Sequence, residues 1–255
     1  MKTIYLLLGI CVATAFSLPS QERIVGGTIT NINNYPFAAS LQYTWDGVWF
    51  GHKCGGTILN SRAMLSAAHC WWNNVVEIKF RVRSGSTTKS NGGWWHNVAQ
   101  LIGHPHYNPA NHDNDIGVVR VASAFMIGAP NVRAGRIAGA NHHVPDNRDV
   151  VALGWGNIHT EGPASENLRR VVLRTVNQAR CSSDFFGGIT ANMLCANWYD
   201  GSRSTCFGDS GTGLLLDNVV VGVCSFIGWD GCGSTRWPAV FARVSRYEAW
   251  IRNHA

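Results

Sequence analysis

A chain of 255 residues is long enough to bury a sizeable core, in one domain or two small ones. With 45% hydrophobic and 14% charged residues, a mostly disordered chain is excluded. The formal charge of +6 is spread along the chain without a Lys/Arg run, so the footprint of a nucleic-acid binder is absent.

At the start, Lys2 precedes an apolar run from Ile4 to Val12, followed by Ala13-Thr14-Ala15. This is the pattern of a secretory leader, too short to span a bilayer, and it predicts removal of residues 1–17. No later stretch predicts a membrane helix. Of eight cysteines, Cys11 leaves with the leader. Cys54, Cys70, Cys181, Cys195, Cys206, Cys224 and Cys232 remain, an odd number that leaves one thiol unpaired in an oxidising compartment. Spacing alone does not fix their connectivity, and no Cys-x-x-Cys pair favours zinc.

Short β-rich runs punctuated by Gly, Asn and Pro follow, among them Val75–Val82, Val150–Gly154, Val219–Phe226 and Ala239–Val244. They predict an all-β barrel or sandwich. A C-terminal helix is expected from Ser245 and Glu248, spaced as a capping box, with Val244, Tyr247, Trp250 and Ile251 on one face. His104, His106, His142 and His143 read as surface residues, and Trp71-Trp72 and Trp94-Trp95 as partly buried pairs. Glu77 is the only acid in the stretch after Cys70, too few oxygen ligands for a calcium loop. No Asn-x-Ser/Thr sequon occurs.

Four segments carry chemistry. They are Arg23 with Ile24-Val-Gly-Gly27, Ser66-Ala-Ala-His-Cys70, Asp113-Asn-Asp-Ile116 and Gly208-Asp-Ser-Gly211. In this order, with Gly55-Gly-Thr-Ile-Leu59, Ile189-Thr-Ala-Asn-Met-Leu-Cys195, Val221-Gly-Val-Cys-Ser-Phe226 and Ala242-Arg-Val-Ser-Arg-Tyr247, the chain resembles the chymotrypsin/trypsin family of serine proteases. Within it, the likeness is to secreted digestive trypsin-like enzymes of moths and butterflies. An α/β-hydrolase elbow requires Gly-x-Ser-x-Gly, but Thr212 stands at the last glycine, and His69 precedes the serine instead of following it.

The resemblance implies two six-stranded antiparallel barrels over residues 24–255, divided near 120–135, with a C-terminal helix and the active site between them. It assigns His69 as base, Asp115 as its orienting acid in preference to Asp113, and Ser210 as nucleophile. The N–H groups of Gly208 and Ser210 become the oxyanion hole. Residues 18–23 become an activation peptide cut after Arg23 by a trypsin-like protease, freeing Ile24 to pair with Asp209. The implied disulfides are Cys54–Cys70, Cys181–Cys195 and Cys206–Cys232, leaving Cys224 free. No cofactor or metal is implied. The expected product is a monomer, secreted and extracellular, in a gut lumen if digestive. It acts on proteins or peptides, meets protein protease inhibitors, and engages neither nucleic acid nor membrane.

Specificity is expected from Ser204, Thr205, Ser225, Phe226, Ile227 and Ala239. Trypsins carry Asp where this chain has Ser204, so a buried Lys or Arg would lack a counter-charge. Ile227 and Ala239 replace wall glycines and add bulk, which predicts a neutral, apolar, shortened slot, closer to elastase-like; with Gly228 at that wall position instead, the slot reopens, chymotrypsin-like, and favours Phe, Tyr or Leu. Thr212 and Gly213 stand where the family has Gly-Pro. If position 212 requires a glycine conformation, a β-branched residue there is strained, and loss of proline loosens the next strand. The alternative reading of these departures is a protease-shaped protein that binds peptides or inhibitors with little or no turnover. With 17 Arg against 4 Lys, positive charge persists at alkaline pH.

Overall fold

The computed structural model describes residues 25–73 and 78–255. The expected leader, the activation segment, Arg23, Ile24 and residues 75–77 of the expected strand Val75–Val82, Glu77 among them, lie outside the described residues.

After a two-residue edge strand β1 (Thr28–Ile29), six strands form the first barrel: β2 (Ala38–Thr44), β3 (Gly51–Ile58), β4 (Ala63–Ser66), β5 (Lys79–Ser84), β6 (Trp94–Gly103) and β7 (Gly117–Val121). They close in the order β2-β3-β4-β7-β6-β5. A short strand β8 (Arg136–Ile137) leads to the second set: β9 (Asp149–Gly154), β10 (Arg169–Val176), β11 (Met193–Asn197), β12 (Gly213–Leu216), β13 (Val219–Phe226) and β14 (Ala239–Arg243). Here β9, β10, β11, β14, β13 and β12 follow one another, and β12 returns to β9. The molecule is two closed six-stranded antiparallel barrels, as the resemblance implies, with only β8 paired in parallel, to β13.

Residue pattern explains the strands. On β10, Val171 and Leu173 are buried while Arg170 and Arg174 face solvent, the alternation of a half-buried strand. On β13 every residue from Val220 to Ser225 is buried, so the run is near-continuously apolar. Leu41, Leu65 and Val119 of the first barrel and Leu153, Leu173 and Phe241 of the second belong to one apolar cluster. That shared core seats the barrels on each other.

Two short helices complete the fold, α1 (Gln178–Asp184) and α2 (Glu248–His254). The side chain of Asn177 caps α1 by accepting from the Ala179 and Arg180 N–H groups. The capping box expected at α2 does not form. Ser245 sits in a 3₁₀ turn spanning Val244–Arg246, Tyr247 occupies the cap without a side-chain bond, and Glu248 instead accepts from Arg252 one turn on. The apolar face forms as expected: Val244, Tyr247 and Ile251 are buried and Trp250 packs beside them. Because Val244 begins that turn, β14 stops at Arg243. Among the described residues no helix is long and apolar enough to cross a membrane.

Candidate active site

Strand β4 ends at Ser66, and the chain then makes a 3₁₀ turn, Ala68–Cys70, that carries His69. The Cys54–Cys70 disulfide pins that turn to β3. Asp115 lies just before β7 and is fully buried. Its carboxylate accepts from His69 Nδ1 at 2.7 Å and from the His69 backbone N–H at 2.8 Å. A third donor is the Ser225 hydroxyl, at 2.6 Å from Oδ2. Burial pushes the Asp115 carboxyl upward, but the His69 ring, the Ser225 hydroxyl and the His69 N–H together hold it below the usual carboxylate range. An ionised Asp115 fixes the proton on Nδ1, so the neutral ring keeps its lone pair on Nε2. Asp113, the rival acid, accepts from Thr190 Oγ1 at 2.6 Å and from Asn192 Nδ2 at 3.2 Å.

Ser210 stands in the turn that enters β12 and lines the same cavity as His69, about 530 Å³ in volume. Its carbonyl accepts from Gly55 N–H at 2.8 Å, across from the first barrel. Gly208 has φ +91°, where a side chain would be strained. The Gly208 carbonyl accepts from His52 Nε2 at 2.9 Å. That bond assigns the His52 tautomer, leaving Nδ1 to accept from Ser40 Oγ at 2.7 Å. Desolvation lowers the His52 pKa to about 4 against the pull of the Gly208 carbonyl, so the ring stays neutral. Among the described residues, neither the Gly208 nor the Ser210 N–H donates to a protein acceptor.

The strain expected at Thr212 is absent. Thr212 is not among the residues with positive φ, so its backbone conformation is one that any residue adopts. Its hydroxyl donates to the Asp209 carbonyl at 2.6 Å, and its N–H donates to the same oxygen at 3.1 Å. Its methyl lies against Gly55, where an added Cβ would fall 2.0 Å away. The strand expected to loosen at Gly213 is paired from its first residue, Gly213 opposite Val223. The two departures from the family pattern are accommodated by packing.

Asp209 is fully buried and accepts from Gly156 N–H and Cys206 N–H, both at 2.8 Å. Burial raises its pKa to about 7 against these two donors. The disulfides Cys181–Cys195 and Cys206–Cys232 are also formed, and Cys224 is a buried free thiol. Burial and the Asp209 charge drive its pKa upward.

The cavity beside Ser210 is walled by Ser225, Phe226 and Ile227, and also by Cys224, Phe207, Thr160 and the loop Gly228–Gly231. Ser204, Thr205 and Ala239 are buried and do not line it. Its one carboxylate, Asp230, is exposed and accepts from Ser234 Oγ at 2.7 Å. Two larger grooves carry neither His69 nor Ser210. One, of about 610 Å³, includes Ile251 and Arg252, and the other, of about 680 Å³, includes Tyr35 and Arg170.

Sequence reasoning missed His52 and Ser40, gave Ser225 only a wall position, and passed over His112, whose ring stacks on Phe226 and meets His69 edge-on. Burial lowers the His112 pKa, with Asp115 opposing and His69 reinforcing the shift. His104 is half-buried among Tyr247 and Trp250 instead of lying on the surface. The tryptophan pairs split: Trp71 is in the core, whereas Trp72, Trp94 and Trp95 are exposed.

Residues 24–251 match the family described as Trypsin. The chain is 45% identical, over the whole of both chains, to Trypsin CFT-1 of Choristoneura fumiferana and to Trypsin, alkaline C of Manduca sexta. It is also 36% identical to Chymotrypsin-like elastase family member 1 of Felis catus, over 92% of this chain and 90% of that one. Two antiparallel barrels, an imidazole held by a buried carboxylate and a serine on the same cavity agree with these matches: the chain is a serine endopeptidase of the trypsin family.

Proposed function

We propose that this is a secreted digestive protease that cuts peptide bonds through His69, Asp115 and Ser210, after small or medium aliphatic residues. The observation that carries the reading is the His69 ring, clamped by Asp115 at 2.7 Å, on the cavity that Ser210 shares.

In that reaction His69 Nε2 takes the Ser210 proton as the oxygen attacks the substrate carbonyl. The imidazolium is stabilised by Asp115 and then protonates the leaving amine. Water, activated by the same ring, releases the acyl group from Ser210. The oxyanion accepts from Gly208 and Ser210 N–H groups, each worth about 3 kcal/mol in the transition state. His52 fixes the adjoining Gly208–Asp209 peptide by donating to its carbonyl.

Specificity follows from charge and bulk. The wall beside Ser210 is made by the uncharged Cys224, Ser225, Phe226 and Ile227, so an aliphatic side chain is favoured and an aromatic one meets bulk at Ile227. Secretion is supported by the leader pattern and three disulfides. The digestive role is supported by the likeness to insect trypsins, one named alkaline, and by the arginine excess. Maturation after Arg23 places the Ile24 ammonium against Asp209, whose buried carboxylate needs a cation. Protein inhibitors and an activating protease are the partners this implies, with the enzyme acting as a monomer.

The test is activation by trypsin, removal of the trypsin, and reaction with a fluorophosphonate probe beside a mixed peptide library. Labelling of Ser210 and cleavage after Ala, Val, Leu or Ile are expected. A correctly processed protein that takes no label overturns the catalytic reading. Cleavage confined to Arg or Lys overturns the specificity and directs attention to Asp230.

A further inference from the structure

Three side chains able to bind a metal converge beside Ser210: His69, His112 and Asp115. Each offers one ligand atom, and the three atoms lie within 4.8 Å of one another. We propose that this cluster binds a zinc-class divalent cation and that the bound ion switches proteolysis off, a regulation that rests on the role given to His69 above.

Four observations support the site. Two imidazoles and a carboxylate form a donor set suited to a tetrahedral divalent ion with one position left for water. His112 is held in place rather than free. Its Nδ1 is 3.2 Å from the Tyr107 hydroxyl, and its ring stacks on Phe226 with centroids 5.3 Å apart. A second partner of this kind fixes ring orientation and leaves Nε2 to take the metal. The His112 backbone sits at φ +57°, uncommon for a non-glycine residue, and such conformations concentrate at functional positions. Finally, both histidines are only partly buried, which gives a hydrated ion an entry path. The other cluster near His69 pairs it with Cys54 and Cys70, whose sulfurs are bonded to each other and unavailable as thiolates.

Inhibition follows from the chemistry of a single ring. An ion that also binds Asp115 takes His69 at Nδ1, displacing the hydrogen bond to Asp115, and the ring proton moves to Nε2. The lone pair that takes the serine proton is then gone, and His69 is no longer a base.

The binding test uses zinc chloride alone, titrated calorimetrically into activated Ser210→Ala protein, which needs no turnover. One ion per molecule is expected at micromolar concentration, and His112→Gln in the same background weakens it by about tenfold or more. Affinity unchanged by His112→Gln places the ion on other surface histidines and overturns the proposal. The inhibition test uses the active protein, with each variant scored as its own ratio of rates with and without zinc. Loss of zinc sensitivity in His112→Gln is expected, and equal sensitivity overturns the proposal. If the wild type turns over no substrate at all, the catalytic reading fails while the calorimetry still decides the metal site.

Discussion

Replacing Thr212 with the glycine usual in the family restores the familiar loop yet is expected to weaken this protein. The hydroxyl bond to the Asp209 carbonyl contributes about 1 kcal/mol, and its loss adds no unsatisfied-acceptor penalty because the Thr212 N–H keeps that oxygen bonded. Removing the buried methyl from its place against Gly55 costs about 0.8 kcal/mol. The added backbone freedom of glycine costs about 0.5–1 kcal/mol more. The expected loss is about 2–3 kcal/mol. Urea unfolding of the activated protein, carrying Ser210→Ala to prevent self-digestion, measures it. Thr212→Val separates the hydroxyl and Thr212→Ser the methyl, each expected to cost less than the glycine change. A glycine variant as stable as the parent, or more so, would refute the packing argument and revive the idea that threonine is strained there.

Asp209 gives a pH prediction for the uncleaved chain. Its pKa rises from 3.8 to about 7, so the folded state holds a proton that the unfolded state has lost. Stability therefore falls as pH climbs through that window, by about 4 kcal/mol for the shift of about 3 units. In an uncleavable Arg23→Gln background, Asp209→Asn should flatten the dependence of the urea midpoint on pH between 4.5 and 8; parallel curves would contradict the burial argument. Ser225→Ala removes a donor from a buried carboxylate and should cost about 1.5–3 kcal/mol at pH 7. Asp115 is depressed, so that difference is full above pH about 4 and shrinks as pH drops through its folded value, which paired denaturation curves at neutral and acid pH would detect. Cys224 should ignore an aromatic disulfide reagent in the native protein and release one thiol on unfolding. Rapid native reaction would show that its cavity-lining position exposes the sulfur.

What the sequence revealed and what it hid follow one physical division. His69, Asp115 and Ser210 were legible because each sits in a short segment whose neighbours are also constrained. His52 and Ser225 were hidden because their roles come from partners 156 and 110 positions away, Gly208 and Asp115. His112 gained significance only when a loop placed it against His69. The error at Thr212 came from weighing one residue alone, when its conformation is set jointly with Gly55. At the C-terminus the local cap spacing was real, but the 3₁₀ turn overrode it while the apolar face survived. Barrel closure was legible only through the resemblance, since strand order depends on contacts that local patterning does not encode.

His69 and Asp115 ride on one barrel and Ser210 on the other, with Gly55 N–H to the Ser210 carbonyl among the links that keep the halves in register. Turnover is thus a vernier for the seating of two rigid bodies. A slip of an ångström at their seam, too small to alter either strand ladder or the tryptophan signal, separates proton acceptor from hydroxyl. Under mild denaturant the enzyme should fall silent while spectroscopically intact.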